Sequence, residues 1–521
     1  MRKTKAGASS SRLMQGAGTS GHDSTGADEW RLNPRVIAGR KGWRGPGAGY
    51  SPTLDAGAVY QATSRQVGGL YPYVLGAGLP PEGVPIGPDL LTHELVCLDP
   101  SGWIGTLVTN PGVWIQSEPG VGKSAIAKRL CLGYAAYGHM TVCPGDVKGE
   151  YTPLVTAMGG QVVRIGRGLD RLNPLDSGPL RGRLPGLAPE RRDQLLAEIN
   201  GRRAGLLTAL LATDVGLGRK PNATERNIVN FAVQHVATRL LGGDDPVIPD
   251  VVKVLREGPK ELWQRLEVDT EEAYRSLIRD VTLALENLTD GPLAGIFDGA
   301  TTHPLDLDAP ALSVDLSSLL TADDDVIAAG LLATWAYSYT SIDSARAIGM
   351  MDRPLVLPLD EMWQALRAGP GMVQAFDRMT RLNRAKSEVS LMITHSNRDP
   401  KSLPTEEDRA KAVGMMSRCS TVILGALSPE ELDGLSEQRP LSDAEKALVS
   451  SWSSARVATI DNTPGGRGKR RNRHPGRGKY LIKLGNQPGT AARLQLTPSE
   501  EAMYETDPNK SRATEQMEGT G

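Results

Sequence analysis

The sequence predicts an α/β protein in which a mostly parallel sheet carries helices on both faces. Three observations predict this class. Short apolar runs alternate with helical stretches from about residue 112 onward, a glycine-rich turn joins the first run to the first of these helices, and roughly a hundred residues of helical period interrupt the series. Strands separated by helices pair in parallel, so we expect one sheet with an inserted all-α subdomain.

Composition excludes several classes of protein. The chain of 521 residues is long enough for two or three domains, and its 59 basic and 60 acidic residues nearly balance, so only local patches would attract nucleic acid. No apolar run reaches the roughly 18 residues that a membrane-spanning helix requires. The four cysteines form no C-x-x-C pair and are expected to be core residues. We therefore expect a cytoplasmic protein.

Seven apolar runs predict the strands of the sheet. In chain order they are "GVWIQ", "MTVCPGD", "QVVRIG", "LSVDLSSL", "LVLPLDE", "VSLMITHS" and "TVILGAL". Pro358 lies inside the fifth run and removes a ladder N–H, which a central strand rarely tolerates. We expect either a bulge there or a position at which no neighbouring strand needs that N–H.

Residues 187–300 are predicted to form the all-α insertion. Asn222 and Glu225 suit the capped start of one helix, and Asp250 is expected to begin another. The apolar residues that recur every four positions in the first of these helices are Ile228, Ala232, Val236 and Leu240.

The remaining domain boundaries follow from composition. The first 50 residues are poor in large apolar side chains, which cannot repay the entropy of ordering. The expected segments are a disordered basic Gly/Ser-rich arm at 1–50, an N-terminal segment packed on the core at 51–110, the core itself at 111–186 and 301–460, a basic loop at 461–479, a C-terminal β-hairpin at 480–500 and a disordered tail at 501–521.

The stretch "SEPGVGKSA", from Ser117 to Ala125, predicts a phosphate-binding loop, because it joins a strand to a helix whose N–H groups converge on an anion. Lys123 would reach the β- and γ-phosphates, and the Ser124 hydroxyl would ligate Mg²⁺. The expected nucleotide contacts are Pro119, Gly120, Val121, Gly122, Lys123, Ser124 and Ala125. A chance G-K-S turn is the alternative.

Ser117 departs from the usual pattern G-x-x-x-x-G-K-[ST], which has a glycine at its first position. If that position needs a positive φ, a side chain there costs on the order of 1 kcal/mol. Such a cost would weaken the loop without abolishing it.

An acidic pair at the end of another strand would supply the second half of a nucleotide-hydrolysing site. In "LVLPLDEMW", Asp360 would hold a water ligand of Mg²⁺, and Glu361 would polarise the attacking water. An apolar run followed by Asp-Glu is, standing alone, usually a strand end that meets solvent. Because this acidic pair follows the phosphate loop in the correct order, it indicates a nucleotide-hydrolysing site. Asp360, Glu361 and Lys123 are its expected catalytic residues.

Two further elements are candidates for contact with the γ-phosphate. In "MITHSN", Thr394 or His395 would present a polar group from the next strand, unless the segment only caps a helix. In "RMTRLNRAKSE", Arg378, Arg381 and Arg384 recur at near-helical spacing, and Arg384 is our candidate arginine finger for a neighbouring subunit. A solvated helix face is the alternative for the arginines.

The stretch "GGRGKRRNRHPGRGKY" is basic, rich in glycine and free of acidic residues. It would neutralise DNA phosphates, or it is a solvated surface loop, since no aromatic residues are interleaved for base stacking. Its basic residues are Arg467, Lys469, Arg470, Arg471, Arg473, Arg477 and Lys479.

The sequence resembles the HerA/FtsK-like hexameric ATPases. The resemblance rests on "GDVKGEYTPLVTAMGGQVVRIGRG", "RLNPLD", the acidic pair and "MITHS", covers roughly residues 65–500, and is closest to TraC-like ATPases of conjugation and type IV secretion of actinobacterial mobile elements. It implies a RecA-like P-loop NTPase core that forms a homo-hexameric ring and uses ATP and Mg²⁺ at subunit interfaces.

Residue by residue, the resemblance implies nucleotide and Mg²⁺ contacts for Lys123 and Ser124 and a Walker B pair in Asp360 and Glu361. Three members of the "GDVKGEY" motif are implied only to lie near the site, namely Asp146, Lys148 and Glu150. His395 stands where relatives commonly carry glutamine, and only about 110 residues precede the loop, where many TraC-like ATPases have a large domain.

The function that this resemblance implies is an ATPase that energises assembly of, or transfer through, a conjugation-type secretion apparatus. It would be peripheral at the inner face of the cell membrane and would bind membrane-embedded components. A DNA-pumping coupling protein or FtsK-like translocase, using the basic loop, is the first alternative. A non-catalytic nucleotide-binding scaffold that switches assembly state is the second.

Overall fold

The computed structural model describes most of the chain between residues 78 and 504. The described ranges are 78–186, 188–240, 244–360, 362–367, 373, 387–396, 402–403, 405–453, 457–460 and 470–504. The chain divides into a larger unit, Gly76–Ala455 with His474–Gly521, and a smaller unit, Met1–Leu75 with Arg456–Arg473. The predicted arm at 1–50 lies outside the described residues.

The described part of the chain contains thirteen strands. They are β1 (Val84–Pro88), β2 (Leu95–Leu98), β3 (Val113–Gln116), β4 (Met140–Asp146), β5 (Gln161–Arg164), β6 (Ala311–Asp315), β7 (Leu355–Leu359), β8 (Val389–Thr394), β9 (Thr421–Leu424), β10 (Val457–Ile460), β11 (Arg470–Arg473), β12 (Lys479–Leu484) and β13 (Thr490–Arg493). In the smaller unit, β10 and β11 form an antiparallel pair, so a strand stands where the sequence predicted part of a loop.

Nine strands of the larger unit form one sheet. Their spatial order is β13-β12-β9-β3-β8-β7-β4-β6-β5, and the seven strands from β9 to β5 are all parallel. The C-terminal hairpin extends this sheet, because β12 pairs antiparallel with both β9 and β13. Each of the seven predicted runs forms a strand, and the predicted fold class is confirmed. Parallel strands covered on both faces are expected to be continuously apolar, which is why the runs were recognisable.

The helices complete the core and the insertion. They are α1 (Lys123–Ala136), α2 (Thr152–Ala157), α3 (Pro189–Leu211), α4 (Ala223–Arg239), α5 (Ile248–Glu257), α6 (Lys260–Arg265), α7 (Glu271–Asp290), α8 (Asp324–Ala347), α9 (Met362–Arg367), α10 (Glu406–Arg418), α11 (Pro429–Ser436), α12 (Asp443–Trp452) and α13 (Pro498–Tyr504), with 3₁₀ turns at Gly178–Gly186 and Ser317–Leu319. The insertion between β5 and β6 thus contains α3 to α7.

Helix α4 begins where its capping residues predict. The Asn222 side chain accepts the Glu225 N–H at 2.9 Å, and the Glu225 carboxylate accepts the Asn222 N–H at 2.7 Å. The expected start of the next helix was wrong by two residues, since α5 begins at Ile248. Asp250 is instead its third residue, where its carboxylate accepts the Val247 N–H at 3.1 Å and satisfies a free donor of the first turn.

The two faces of the sheet bury separate apolar clusters. Trp114 belongs to the cluster shared with α8 and the insertion, whereas Val113 and Ile115 belong to the cluster that contains α1 and the β1–β2 hairpin. Alternate residues of a strand point to opposite faces, so β3 contributes to both. A Cβ added to Gly133 of α1 would lie 2.3 Å from a methyl carbon of Val84. The absence of a side chain at Gly133 therefore lets β1 pack directly against that helix.

Pro358 fits into β7 because β4 does not pair with the part of β7 that contains this proline. β7 pairs with β8 from Val356 to Leu359, but it pairs with β4 at Leu355 and Val356. β4 carries a proline of its own, Pro144, and its pairing with β6 is irregular between Cys143 and Asp146. β4 and β7 therefore separate toward their carboxyl ends, where neither proline has an N–H to donate.

The C-terminal part of the chain is ordered further than the sequence predicted. A tail was expected from residue 501, yet α13 continues to Tyr504 and buries both that side chain and Glu500. The Glu500 carboxylate accepts two hydrogen bonds from the Arg129 guanidinium of α1, one of them at 2.6 Å. Residues 505–521 lie outside the described part. Among the described residues, no helix has the length and apolar character needed to cross a bilayer.

Candidate functional site

The predicted phosphate loop lies between β3 and α1. β3 ends at Gln116 and α1 begins at Lys123, with Gly122 as its N-terminal cap. Gly120 and Gly122 have φ values of 80° and 114°, a conformation that favours glycine. The free N–H groups of the first turn of α1 therefore meet the loop, as an anion-binding site requires.

Ser117 fits the loop without backbone strain. Its side chain is fully buried, and its φ lies outside the positive region. Space for the side chain comes from Gly425, the residue after β9, where an added Cβ would lie 2.6 Å from the Ser117 Cβ. The departure from the usual motif is thus matched by a glycine on the neighbouring strand.

The Lys123 side chain is turned back over the start of the loop. It is 6% exposed, and its ammonium donates hydrogen bonds to the carbonyl oxygens of Ser117, at 2.6 Å, and Glu118, at 3.1 Å. Ser124 follows at the first turn of α1 and is half-buried. A fixed cation and a hydroxyl thus stand side by side at the positive end of a helix.

The parallel sheet brings Asp360 to the same edge as this loop. β8 lies between β3 and β7, with Gln116 level with Thr394 and Leu359 level with Met392. Asp360 follows Leu359 directly, so its backbone lies two strands, or about 10 Å, from the end of β3. Asp360 and the phosphate loop therefore share the carboxyl edge of the sheet.

Of the two polar candidates at the end of β8, Thr394 is buried and its hydroxyl donates to the Ser396 carbonyl at 3.2 Å. His395 is half-buried directly after the strand. Other predicted site residues lie outside the described part of the chain, namely Glu361, Arg378, Arg381, Arg384, Arg467 and Lys469. The same is true of the side chains of Arg470, Arg471 and Arg473.

Asp146 of the "GDVKGEY" motif ends β4, next to β7. Its two carboxylate oxygens accept the N–H of Glu150 at 3.0 Å and of Tyr151 at 2.7 Å, which fixes the turn that follows the strand. Burial, its largest influence, raises the pKa of this carboxyl from 3.8 to about 6. The cavity left by the separation of β4 and β7 is lined by Cys143, Gly145, Asp146, Val147, Lys148, Glu150, Tyr151, Pro358 and Asp360.

Lys128 of α1 is a charged residue of this region that no sequence motif pointed to. It is fully buried, and within the described part of the chain its ammonium has no hydrogen-bond partner. The ammonium lies 4.0 Å from a Glu150 carboxylate oxygen and 5.6 Å from the centre of the Tyr151 ring. Burial lowers the pKa of Lys128, while Glu150, Asp146 and Asp360 act in the opposite direction. A buried cation therefore stands among the carboxylates of two neighbouring strand ends.

The phosphate loop is held from outside by residues far away in sequence. Tyr480 of β12 donates its hydroxyl to the Gly122 carbonyl at 2.6 Å, and the Gly478 N–H donates to the Val121 carbonyl at 3.0 Å. An added Cβ on Gly122 would lie 2.8 Å from the Tyr480 hydroxyl oxygen. No local sequence signal pairs these positions, because the contacts join segments more than 300 residues apart.

Glu431 of α11 connects the ends of β3 and β8. One of its carboxylate oxygens accepts a hydrogen bond from the Gln116 side chain at 3.1 Å, and the other accepts one from the Ser396 hydroxyl at 2.7 Å. No local sequence signal distinguishes Glu431, which looks like an ordinary acidic residue in the first turn of a helix.

The "RLNPLD" motif has a structural role. The Asn173 side chain accepts the Leu175 N–H at 2.9 Å and donates to the Pro246 carbonyl at 3.0 Å. Asn173 is buried, so these bonds tie the chain after β5 to the segment that leads into α5. This motif therefore joins the core to the insertion.

A glycine-rich loop between a central parallel strand and a helix, with acidic residues at the carboxyl ends of neighbouring strands, defines a P-loop fold of the α/β class. No family model matches the sequence, and no curated protein matches it either. Among solved structures, the fold is similar to VirB4 of Thermoanaerobacter pseudethanolicus, with a TM-score of 0.60 and 19% identity over 81% of this chain and 99% of that chain.

A weaker similarity is to the plasmid coupling protein TrwB in complex with ADP and Mg²⁺, with a TM-score of 0.45 and 12% identity over 74% of this chain and 86% of that chain. The similarity to VirB4 shows that the chain has a VirB4-like core fold. The resemblance that the motifs predicted is confirmed at the level of the fold.

Proposed function

We propose that this protein is an ATP-hydrolysing motor of a conjugation-type (type IV) secretion or DNA transfer system, which energises assembly of the apparatus or transfer of its substrate. The observation that carries the proposal is that Lys123, Ser124 and Asp360 lie at one edge of a VirB4-like sheet. Neighbouring strand ends and a helix N-terminus are where such α/β folds bind ligands.

The described residues fit a Mg²⁺-bound nucleotide. Gly120 and Gly122 give the loop the positive φ values that let backbone N–H groups face phosphates, and Ser124 and Asp360 are the oxygen donors that Mg²⁺ prefers. When bound, Mg²⁺ would neutralise the charge that develops on the transferred phosphoryl group.

The roles we propose for the protein's own residues follow from this placement. The ammonium of Lys123 binds the β- and γ-phosphates, the hydroxyl of Ser124 holds the metal, and Asp360 holds a water ligand of that metal. Glu361, the next residue in the chain, polarises the attacking water, and His395 approaches the γ-phosphate from the end of β8. Arg384 is proposed to act on the nucleotide of a neighbouring subunit in a homo-hexamer.

The experiment that tests the proposal is ATP turnover by the purified full chain, with Glu361→Gln as the blank and with or without double-stranded DNA. A motor of the secretion apparatus should hydrolyse ATP at a rate indifferent to DNA, while the variant binds ATP without turning it over. Turnover no greater than that of the variant, at concentrations that permit a ring, would contradict the proposal and favour the non-catalytic scaffold.

A DNA translocase is the second candidate, and the basic sequence of β11, "RRNR", favours it. Strong acceleration of turnover by DNA would support this candidate. Binding through lysine and arginine releases counterions, so DNA affinity should fall steeply with salt, and the salt slope should become shallower in the Arg470→Ala, Arg471→Ala variant. Absence of DNA binding at low salt would exclude this candidate.

A further inference from the structure

The side chain of Glu118, the second residue of the phosphate loop, is bound by two distant parts of the chain. One carboxylate oxygen accepts a hydrogen bond from the Ser453 hydroxyl, and the other lies 3.5 Å from Nε2 of His474. Ser453 follows α12, and His474 is the residue at which the chain returns to the larger unit. The Glu118 side chain thereby links the phosphate loop to the segment after α12 and to the segment that begins at His474.

The backbone of Glu118 is fixed as firmly as its side chain. Its N–H donates to the Ala426 carbonyl at 2.9 Å. Its carbonyl oxygen accepts hydrogen bonds from the Lys123 ammonium and from the Ser117 hydroxyl, both at 3.1 Å. One residue therefore joins the end of β9, the C-terminal segment and the lysine that the proposed function assigns to phosphate binding.

We propose that Glu118 is a positioning residue for nucleotide binding. Its carboxylate, held by Ser453 and His474, orients the peptide whose carbonyl holds Lys123, and so keeps the loop in the shape that receives phosphates. A binding loop that is ordered in advance loses less conformational entropy when its ligand arrives. Glu118 acts through Lys123 and the loop backbone, without touching the reacting atoms, and the inference rests on the proposed function.

The same two contacts account for a carboxylate inside an anion-binding loop. A free negative charge at this position would repel phosphate groups. Ser453 supplies a hydrogen-bond donor and His474 a second polar partner, on the side of the loop that faces the C-terminal segment. Loss of either contact is therefore expected to weaken nucleotide binding, as well as to loosen the loop.

The test compares Glu118→Ala and Glu118→Gln with Glu437→Ala, a matched control at an exposed glutamate after α11. The affinity for a fluorescent, non-hydrolysable ATP analogue is measured by titration, and kcat and KM for ATP by turnover. Because the loop loses the contact that orders it in advance, Glu118→Ala should weaken binding by about tenfold or more, with kcat changed less than about twofold. Glu118→Gln, which keeps an acceptor for Ser453, should be intermediate, and Glu437→Ala unchanged.

Two outcomes would overturn the inference, namely an affinity of Glu118→Ala within about twofold of the wild type, or a loss confined to kcat. If thermal unfolding shows that Glu118→Ala does not fold, Ser453→Ala becomes the decisive variant, because it removes one contact from outside the loop. It should weaken binding about threefold, and unchanged affinity would again overturn the inference. Failure of the wild type to bind nucleotide at all would instead overturn the proposed function together with this inference.

Discussion

Ser117 of the phosphate loop lies directly against Gly425, where an added Cβ would stand 2.6 Å from the serine Cβ. The loop carries a serine side chain where the usual motif has glycine. Gly425, the residue after β9, has no side chain that would collide with this serine. The two positions thus form one packing unit within the buried edge of the sheet.

Gly425→Ala is expected to destabilise the protein by about 1–3 kcal/mol, since the methyl group overpacks the site. Ser117→Gly should cost less than about 1 kcal/mol alone and should recover most of the loss in the double variant. Chemical denaturation of the four proteins in the cycle measures the coupling. Additive effects of the two changes would show that the residues are not in contact.

Tyr480→Phe is expected to weaken ATP binding as well as folding. It removes the hydroxyl that donates to the Gly122 carbonyl and leaves the Ile126 N–H as the donor to this oxygen, at a cost of about 0.5–1.5 kcal/mol. Tyr274→Phe is the matched control, since that hydroxyl donates to the Leu255 carbonyl within the insertion at 2.7 Å. Both variants should lose stability, but nucleotide titration should show weaker binding in Tyr480→Phe alone. Equal affinities in the two variants would refute the role of β12 in shaping the loop.

Lys128→Met is expected to separate stability from activity. Methionine has a similar volume and removes an ammonium that has no hydrogen-bond partner among the described residues and whose charged form burial disfavours, so the free energy of unfolding should stay about the same. ATP turnover should fall about tenfold, because Glu150 and Asp360 lose the cation that stands among them. Lys253→Met, on the exposed side of α5, is the control and should leave both quantities unchanged. A large loss of stability with normal turnover would assign Lys128 a purely structural role.

The pH dependence of stability should include a contribution from Asp146. Its pKa is raised in the folded protein from 3.8 to about 6, so between these pH values the folded state holds a proton that the unfolded state has released. Stability from this group is therefore fully present below about pH 4 and is lost as pH rises to about 6. The loss amounts to about 3 kcal/mol, at about 1.4 kcal/mol per pKa unit.

Urea denaturation of the wild type and Asp146→Asn from pH 4 to pH 7 checks this expectation. The difference in the free energy of unfolding between the wild type and the variant should shrink as the pH rises to about 6 and should stay constant above that pH. A difference that is independent of pH would mean that Asp146 has an ordinary pKa.

Much of the site was predictable because its signals are local. A strand, a turn with two glycines and a helix follow one another within Val113–Ala136, and an apolar run leads directly into Asp360. The capping residues Asn222 and Glu225 are three positions apart. The start of α5 was missed by two residues because Pro249 is tolerated in a first turn, where its absent N–H is not needed.

The sequence by itself determined the seven parallel strands of the sheet, the glycine-rich turn before α1 and the start of α4, since backbone preference and hydrophobic period act over a few neighbouring residues. The tertiary structure alone decided the order of the strands, which places β8 between the loop and Asp360, and the separation of β4 from β7 at Pro144 and Pro358. It also decided the contacts of Tyr480 and Gly425 with the loop. These contacts join residues hundreds of positions apart, and such pairings depend on the packing of the whole sheet and not on any local preference.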